Sequence, residues 1–190
     1  MFRQTLPFSA MTYGEGPMDI EGKKVILRHV EGQDREIFWN LSRDPEIIKV
    51  TKGYARPITC AYQMNRQSFG QSSACSIRRI IADKESPGTG LGIIMLSHID
   101  SENGTAEIHI KLIKSARGRG YGQDAVNTLV SYAFHELRLN CICSNILEYN
   151  TASRKLFERC GFLQENTYVS RTDQEGNCRR VCFYKIQDAF

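Results

Sequence analysis

The segment KSARGRGYGQDA, Lys114 to Ala125, sets three glycines at alternate positions (118, 120 and 122) around two arginines, then runs into an apolar helical pattern. Such a segment can bind an anion. Glycines leave the backbone bare, so its N–H groups converge with no Cβ in the way. A helix that starts directly afterwards adds unpaired N–H donors and the positive end of its dipole, which together favour phosphate. Arg117 and Arg119 add charge-assisted contacts. A Walker A loop does not fit, because Tyr121-Gly122-Gln123 stands where its Lys-Ser/Thr pair would be. A dinucleotide fingerprint fails as well. The spacing is GxGxG, the preceding strand belongs to a meander, and Arg138 to Ile142 supplies no acid for a ribose.

Those residues need a scaffold. KKVILRHV (23–30) alternates as a strand does, and apolar residues at 37, 38, 41, 47, 48 and 50 predict one helix and a broken second one. ITCAYQMNRQSF (58–69) predicts another helix, with Thr59 as its N-cap. SACSIRRIIAD (73–83), GLGIIMLSHID (90–100) and TAEIHIKLI (105–113) read as three strands joined at ESPGTG and SENG. They form an antiparallel meander that feeds the glycine segment. Ala125, Val126, Leu129, Val130, Ala133, Phe134 and Leu137 then repeat at helical spacing. CICSNILE (141–148) is a short strand of the kind buried on both faces. Asn150 caps a helix that Gly161-Phe162 ends, and NTYVSRT with CRRVCFYKI flanks DQEGN as a closing hairpin. The fold class is α/β, a mostly antiparallel mixed sheet flanked by helices. Residues 1–22 read as a flexible or partner-contacting arm, and 23–190 as one domain.

Bulk properties exclude several classes. The net charge of +4 is spread along the chain, without the basic stripe and interleaved aromatics of a nucleic-acid binder. No segment approaches the roughly 18 apolar residues of a membrane span, and the N-terminus lacks a secretory apolar run. A cytoplasmic location is expected. The seven cysteines (60, 75, 141, 143, 160, 178 and 182) are odd in number and show no CxxC spacing, which predicts reduced thiols and no metal. Cys141 and Cys143 are expected to diverge across their strand and so to grip no ion.

Further residues carry a resemblance. RGRGYG matches the Q/R-x-x-G-x-G/A pyrophosphate loop of the GNAT N-acetyltransferase superfamily, which binds acetyl-coenzyme A. AEIHIKLI resembles that family's fourth strand, QDAVNTLVSYAFHEL its third helix, and NTASRKLFERCGF (150–162) its fourth helix and stop. The details look most like the branch holding ribosomal-protein and polyamine acetyltransferases. The resemblance covers about 75–165 clearly, and the order of elements after residue 22.

It implies an acyl-CoA N-acyltransferase fold and acetyl transfer from acetyl-CoA to a primary amine, on a small molecule or a protein N-terminus. The transfer would be direct, with no covalent enzyme intermediate. Ile110, Lys111 and Leu112 would offer backbone groups to the pantetheine arm. Arg117, Gly118, Arg119, Gly120, Tyr121 and Gly122 would hold the pyrophosphate, with Asn150 and Ser153 along the arm. Lys111, Lys114, Arg154 and Lys155 are cations that could meet the 3′-phosphate or simply stand in solvent. Glu107, in the strand beside the thioester, is the expected base, and His109, two residues on, is a second candidate. The acid is open. Phe157 fills the position where many members carry a tyrosine, which leaves Ser153, Tyr149, Tyr168, solvent or the ammonium product itself. Acids and bases mix at Asp34, Arg35, Glu36, Arg43, Asp44 and Glu46, which makes no clear acidic funnel for a polyamine. A homodimer is the assembly the resemblance allows, and no metal, nucleic acid or membrane is expected. A non-catalytic acyl-CoA-binding or sensing domain is the alternative, and it would have no need of Glu107.

Overall fold

The computed structural model describes residues 19–51, 76–170 and 178–188. The helix expected over 58–69, Cys60, Cys75 and nearly all of the N-terminal arm lie outside them. Eight strands make one sheet: β1 (Ile20–Glu21), β2 (Val25–Arg28), β3 (Ile77–Asp83), β4 (Gly90–Asp100), β5 (Thr105–Leu112), β6 (Cys141–Leu147), β7 (Leu163–Ser170) and β8 (Arg179–Gln187). Their order across the sheet is β1-β2-β3-β4-β5-β6-β8-β7. Every pairing is antiparallel except β5 with β6. The helices are α1 (Arg35–Arg43), α2 (Pro45–Thr51), α3 (Tyr121–His135) and α4 (Thr151–Arg159).

Two apolar layers hold the sheet between helices. Val25, Leu27, Ile81, Ile94, Leu96 and Ile108 pack with Ala125, Val126, Leu129 and Ala133 of α3 on one face. On the other, Ile80 packs with Ile37, Phe38 and Leu41 of α1 and Ile47 of α2. Burial of each large aliphatic contributes about 1.5–3 kcal/mol, so both layers are needed to offset the entropy of ordering the chain. The approach to α1 is fixed by a buried ion pair. Arg28 forks onto Asp34 at 2.6 and 2.9 Å, and the same carboxylate caps the Glu31 N–H.

Alternation along β5 then sorts the chemistry. Ala106 and Ile108 enter the α3 side, so Glu107, His109 and Lys111 face the side of α1 and α2.

Three differences from the sequence reading follow. A two-residue strand, Ile20–Glu21, already pairs with β2 ahead of Lys23. β7 begins at Leu163, because Gly161 turns the chain at φ 87° and sends it straight into register with Lys185. Cys141 and Cys143 do not diverge. They sit two apart on a regular strand and share one face, so the expected divergence is corrected. Among the described residues, no group of three or more His, Cys, Asp or Glu side chains is arranged to hold a metal ion.

Candidate active site

The site begins where two strands stop pairing. β5 and β6 run parallel through Thr105–Cys141, Ala106–Ile142 and Glu107–Cys143, and no pair follows. Beyond that point β5 continues to Leu112 and β6 to Leu147, so the sheet opens into a wedge with Glu107 at its apex. Ser144 Oγ donates to the Ile108 carbonyl at 3.2 Å across the start of the opening. That carbonyl therefore faces the wedge, and so does the backbone of Ile110 two residues on. An extended chain laid in the wedge would meet the Ile110 backbone beyond the Ser144 bond. Of the three residues expected to line it, Ile110 offers backbone there. The Leu112 carbonyl is taken by Arg117, and the Lys111 ammonium is pushed to a lower pKa by burial and then by the Arg78 charge.

The wide end of the wedge carries the anion cradle. A 3₁₀ turn (Lys114–Ala116) leads to Gly118 and Gly120, whose φ angles of 73° and 86° lie where L side chains are strained. Gly120 is the N-cap of α3, and the first helical bond of the segment is Asp124 N–H to the Gly120 carbonyl. The N–H groups of residues 118–123 meet no acceptor among the described residues, which leaves six donors at the positive end of a fifteen-residue helix. Tyr121 is anchored by its hydroxyl to Asp83 at 2.7 Å, and the Arg119 guanidinium lies 5.3 Å from the Tyr121 ring.

Two residues of the cradle were not visible in the sequence. The Asp124 carboxylate accepts the N–H groups of Lys23, Lys24 and Val25 at 3.2, 2.6 and 3.0 Å, which pins the start of β2 against α3. Lys24 Nζ thereby reaches the Arg119 carbonyl at 3.4 Å, from ninety-five residues away. Arg117, by contrast, turns from the cradle. Its guanidinium binds Asp44 at 2.6 Å, Glu46 at 2.8 Å and the Leu112 carbonyl at 2.9 and 3.1 Å. It clamps the α1–α2 corner to the end of β5, and a recess of about 690 Å³ lined by Asn40, Arg43, Asp44 and Lys114 adjoins the clamp.

The apex holds a polar group of a different kind. Glu107 is 16% exposed; its Oε1 accepts Asn145 Nδ2 at 2.9 Å, and its Oε2 lies 3.5 Å from His98 Nδ1 and 3.8 Å from His109 Nε2. His98 reaches it from a bulge in β4, where its own φ is 50°. His109 Nε2 is 2.9 Å from Ser97 Oγ, and burial lowers its pKa although the Glu107 charge pulls the other way. Tyr168 OH donates to Asn145 Oδ1 at 3.0 Å. The Cys143 thiol, paired in register with Glu107, is pushed up to about 11 by burial and by the Glu107 charge. Cys160 is also pushed up to about 11 by burial. Neither is a thiolate at neutral pH.

The remaining expected residues divide. Asn150 caps α4 by accepting the Ser153 N–H at 3.2 Å, and Ser153 itself is half-buried. Tyr149 OH donates to the Lys49 carbonyl of α2 at 2.9 Å. Arg154 binds the Tyr184 hydroxyl at 3.0 Å and the Gln164 side chain at 3.3 Å, so it ties α4 to the last hairpin, while Lys114 and Lys155 are exposed. Phe157 is 1% exposed and stacks edge-on to Phe162 at 4.9 Å, within the core.

The chain is similar to known proteins in sequence and in fold. The family description "Acetyltransferase (GNAT) domain" matches residues 24–163. The uncharacterized N-acetyltransferase p20 of Bacillus licheniformis is 30% identical over 172 residues, 86% of this chain and 93% of that one. The "Putative ribosomal N-acetyltransferase YdaF" of Bacillus subtilis is 38% identical over 78 residues, 41% of this chain and 43% of its own. In fold, the spermidine N-acetyltransferase of Vibrio cholerae, solved with CoA and spermine, superposes with a TM-score of 0.73 at 21% identity. That match covers 86% of this chain and 95% of that one.

Proposed function

Because this chain belongs to the GNAT acetyltransferase family, we propose that it moves the acetyl group of acetyl-CoA directly onto a primary amine of a small molecule or a protein N-terminus. The observation that carries the reading is Glu107. It sits at the last β5–β6 pair, with the wedge opening from it towards six N–H donors that meet no acceptor among the described residues. A pure acyl-CoA sensor has no use for a carboxylate there, and the comparisons lend that alternative no support.

Acetyl-CoA supplies an activated thioester, so the chain needs no nucleophile of its own. The N–H groups of 118–123, with Arg119 and Lys24, would hold the pyrophosphate; the Ile110 backbone and the Asn150–Ser153 turn would line the pantetheine arm. Glu107 Oε2 then takes a proton from the incoming ammonium, directly or through water, and holds the cation beforehand. His109, kept neutral by burial, is the second acceptor. Ser153 lies one turn before Phe157 on the same face of α4, and its hydroxyl is the proposed donor in place of the missing phenol. The raised thiols of Cys143 and Cys160 argue against an acyl-cysteine route.

The acceptor is proposed to carry one reacting amine without a long polycation. Asp34 is consumed by Arg28, and Asp44 and Glu46 by Arg117, which removes three of the four acids of the helical segment from any cationic funnel. The five described cysteines are free. Release of CoA thiol with acetyl-CoA and a panel of monoamines, polyamines and peptides tests the reading. Turnover on a monoamine or a peptide N-terminus is expected. Tight acetyl-CoA binding with no thiol release on any amine would overturn it.

A further inference from the structure

The Glu107 carboxylate is not held by its own strand. Oε1 takes Asn145 Nδ2 from β6 at 2.9 Å, and Asn145 Oδ1 takes the hydroxyl of Tyr168 from β7 at 3.0 Å. The three side chains thus run across the sheet from β5 to β7, over the intervening β8. A carboxylate only accepts, so the amide must present its nitrogen to Glu107. Its oxygen then faces Tyr168, and the phenol must donate. Each orientation follows from the one before it.

We propose that Asn145 and Tyr168 are positioning residues that tie up one oxygen of Glu107 and leave Oε2 as the single proton-accepting atom of the site. This rests on Glu107 being the base. Oε2 is the oxygen turned to His98 and His109, and the amine must approach from that side. A phenol committed to the Asn145 oxygen is not free to protonate a departing thiolate. Tyr168 is therefore removed from the possible acids, although its ring stands exposed beside the site.

The test is the pH profile of kcat/KM for Asn145→Ala and Tyr168→Phe, with acetyl-CoA affinity measured by calorimetry to establish that each variant is folded. Loss of a donor to the charged carboxylate disfavours the ionised form, so the acid limb of the profile should move to higher pH, by about one unit for Asn145→Ala and less for Tyr168→Phe. Other groups facing Glu107 are His98 from β4, His109 from β5 and Cys143 from β6, so the profiles are repeated in a His98→Gln, His109→Gln background to assign the limb. At neutral pH, kcat/KM should fall by about 10- to 100-fold for Asn145→Ala, as for a misplaced catalytic group. In a Glu107→Gln background neither change should cost more. If Tyr168→Phe instead abolishes the high-pH limb and leaves the low-pH limb in place, Tyr168 is the acid and the proposal is wrong. Equal losses in both backgrounds would likewise sink it. Full activity of Glu107→Gln alone would remove the base assignment beneath it, a separate outcome.

Discussion

Glu107 presents two oxygens in two environments, one bound to the Asn145 amide and one near two imidazoles, and on the proposed reading the second takes the proton. Glu107→Gln keeps the shape and removes the acceptor, so turnover should fall by about 10²–10⁴ while calorimetric affinity for acetyl-CoA stays level. Phe157 poses the opposite case. Its ring is buried against Phe162, so Phe157→Tyr puts a hydroxyl among apolar neighbours at a cost of about 1–3 kcal/mol in denaturant unfolding, with no gain in turnover. A rise of about tenfold or more would show that the hydroxyl reaches the leaving thiolate, and that the native chain works as a weakened catalyst. Glu107 was legible because alternation within one strand fixes its face. Asn145, His98 and Lys24 were not, because each reaches the site through a partner remote in sequence: a neighbouring strand, a bulge, or the Asp124 carboxylate.

At the scale of elements, the join between β5 and α3 bears the coenzyme reading. Gly120 holds φ 86° at the helix N-cap, where a branched side chain is strained whatever space surrounds it. Gly120→Val should abolish acetyl-CoA binding by calorimetry while the far-UV circular dichroism spectrum is kept. Unchanged affinity would take the cradle out of the site. The meander, α3, α4 and the final hairpin were readable from periodicity and turn residues, since these are local signals. The wedge was not. It exists because the parallel β5–β6 ladder ends after three pairs, and the length of a non-local ladder is written in neither strand alone. The place of the Arg117 guanidinium has a similar cause. A cation in a glycine loop reads as a phosphate ligand, and here the α1–α2 corner brings the Asp44 and Glu46 carboxylates to it.

For the whole molecule, acid is the condition that strains both the fold and the site. The folded-state pKa of His109 lies below the ordinary value, so the unfolded chain binds the proton more readily and stability is lost as pH falls through about 6.5. The melting temperature of the native protein should therefore drop more steeply between pH 7 and 5 than that of His109→Gln. Asp83 and Asp100, lowered chiefly by bonds from Tyr121 and Asn103, lose their contribution only further down, below about pH 4. Asp44 belongs with them. Burial pushes its pKa up, but the bond from Arg117 and the α2 amides outweigh that.

The two ends of α2 are fastened to opposite lips of the wedge: Arg117 grips Asp44 and Glu46 behind β5, and Tyr149, behind β6, grips the Lys49 carbonyl. A short helix so tethered is a tie-bar that gauges how far the lips part. A ligand that parted the lips would load that bar, so a ligand resting against α2 is expected to feel it. Thermodynamics makes that dependence mutual: whatever factor bound amine applies to the dissociation constant of the coenzyme, the coenzyme must apply to that of the amine. Calorimetric titrations with a non-reactive CoA analogue, in both orders of addition, should return one factor, of about 5- to 150-fold. Cutting the tether by Arg117→Ala should bring that factor towards unity, and the two substrates would then bind as strangers.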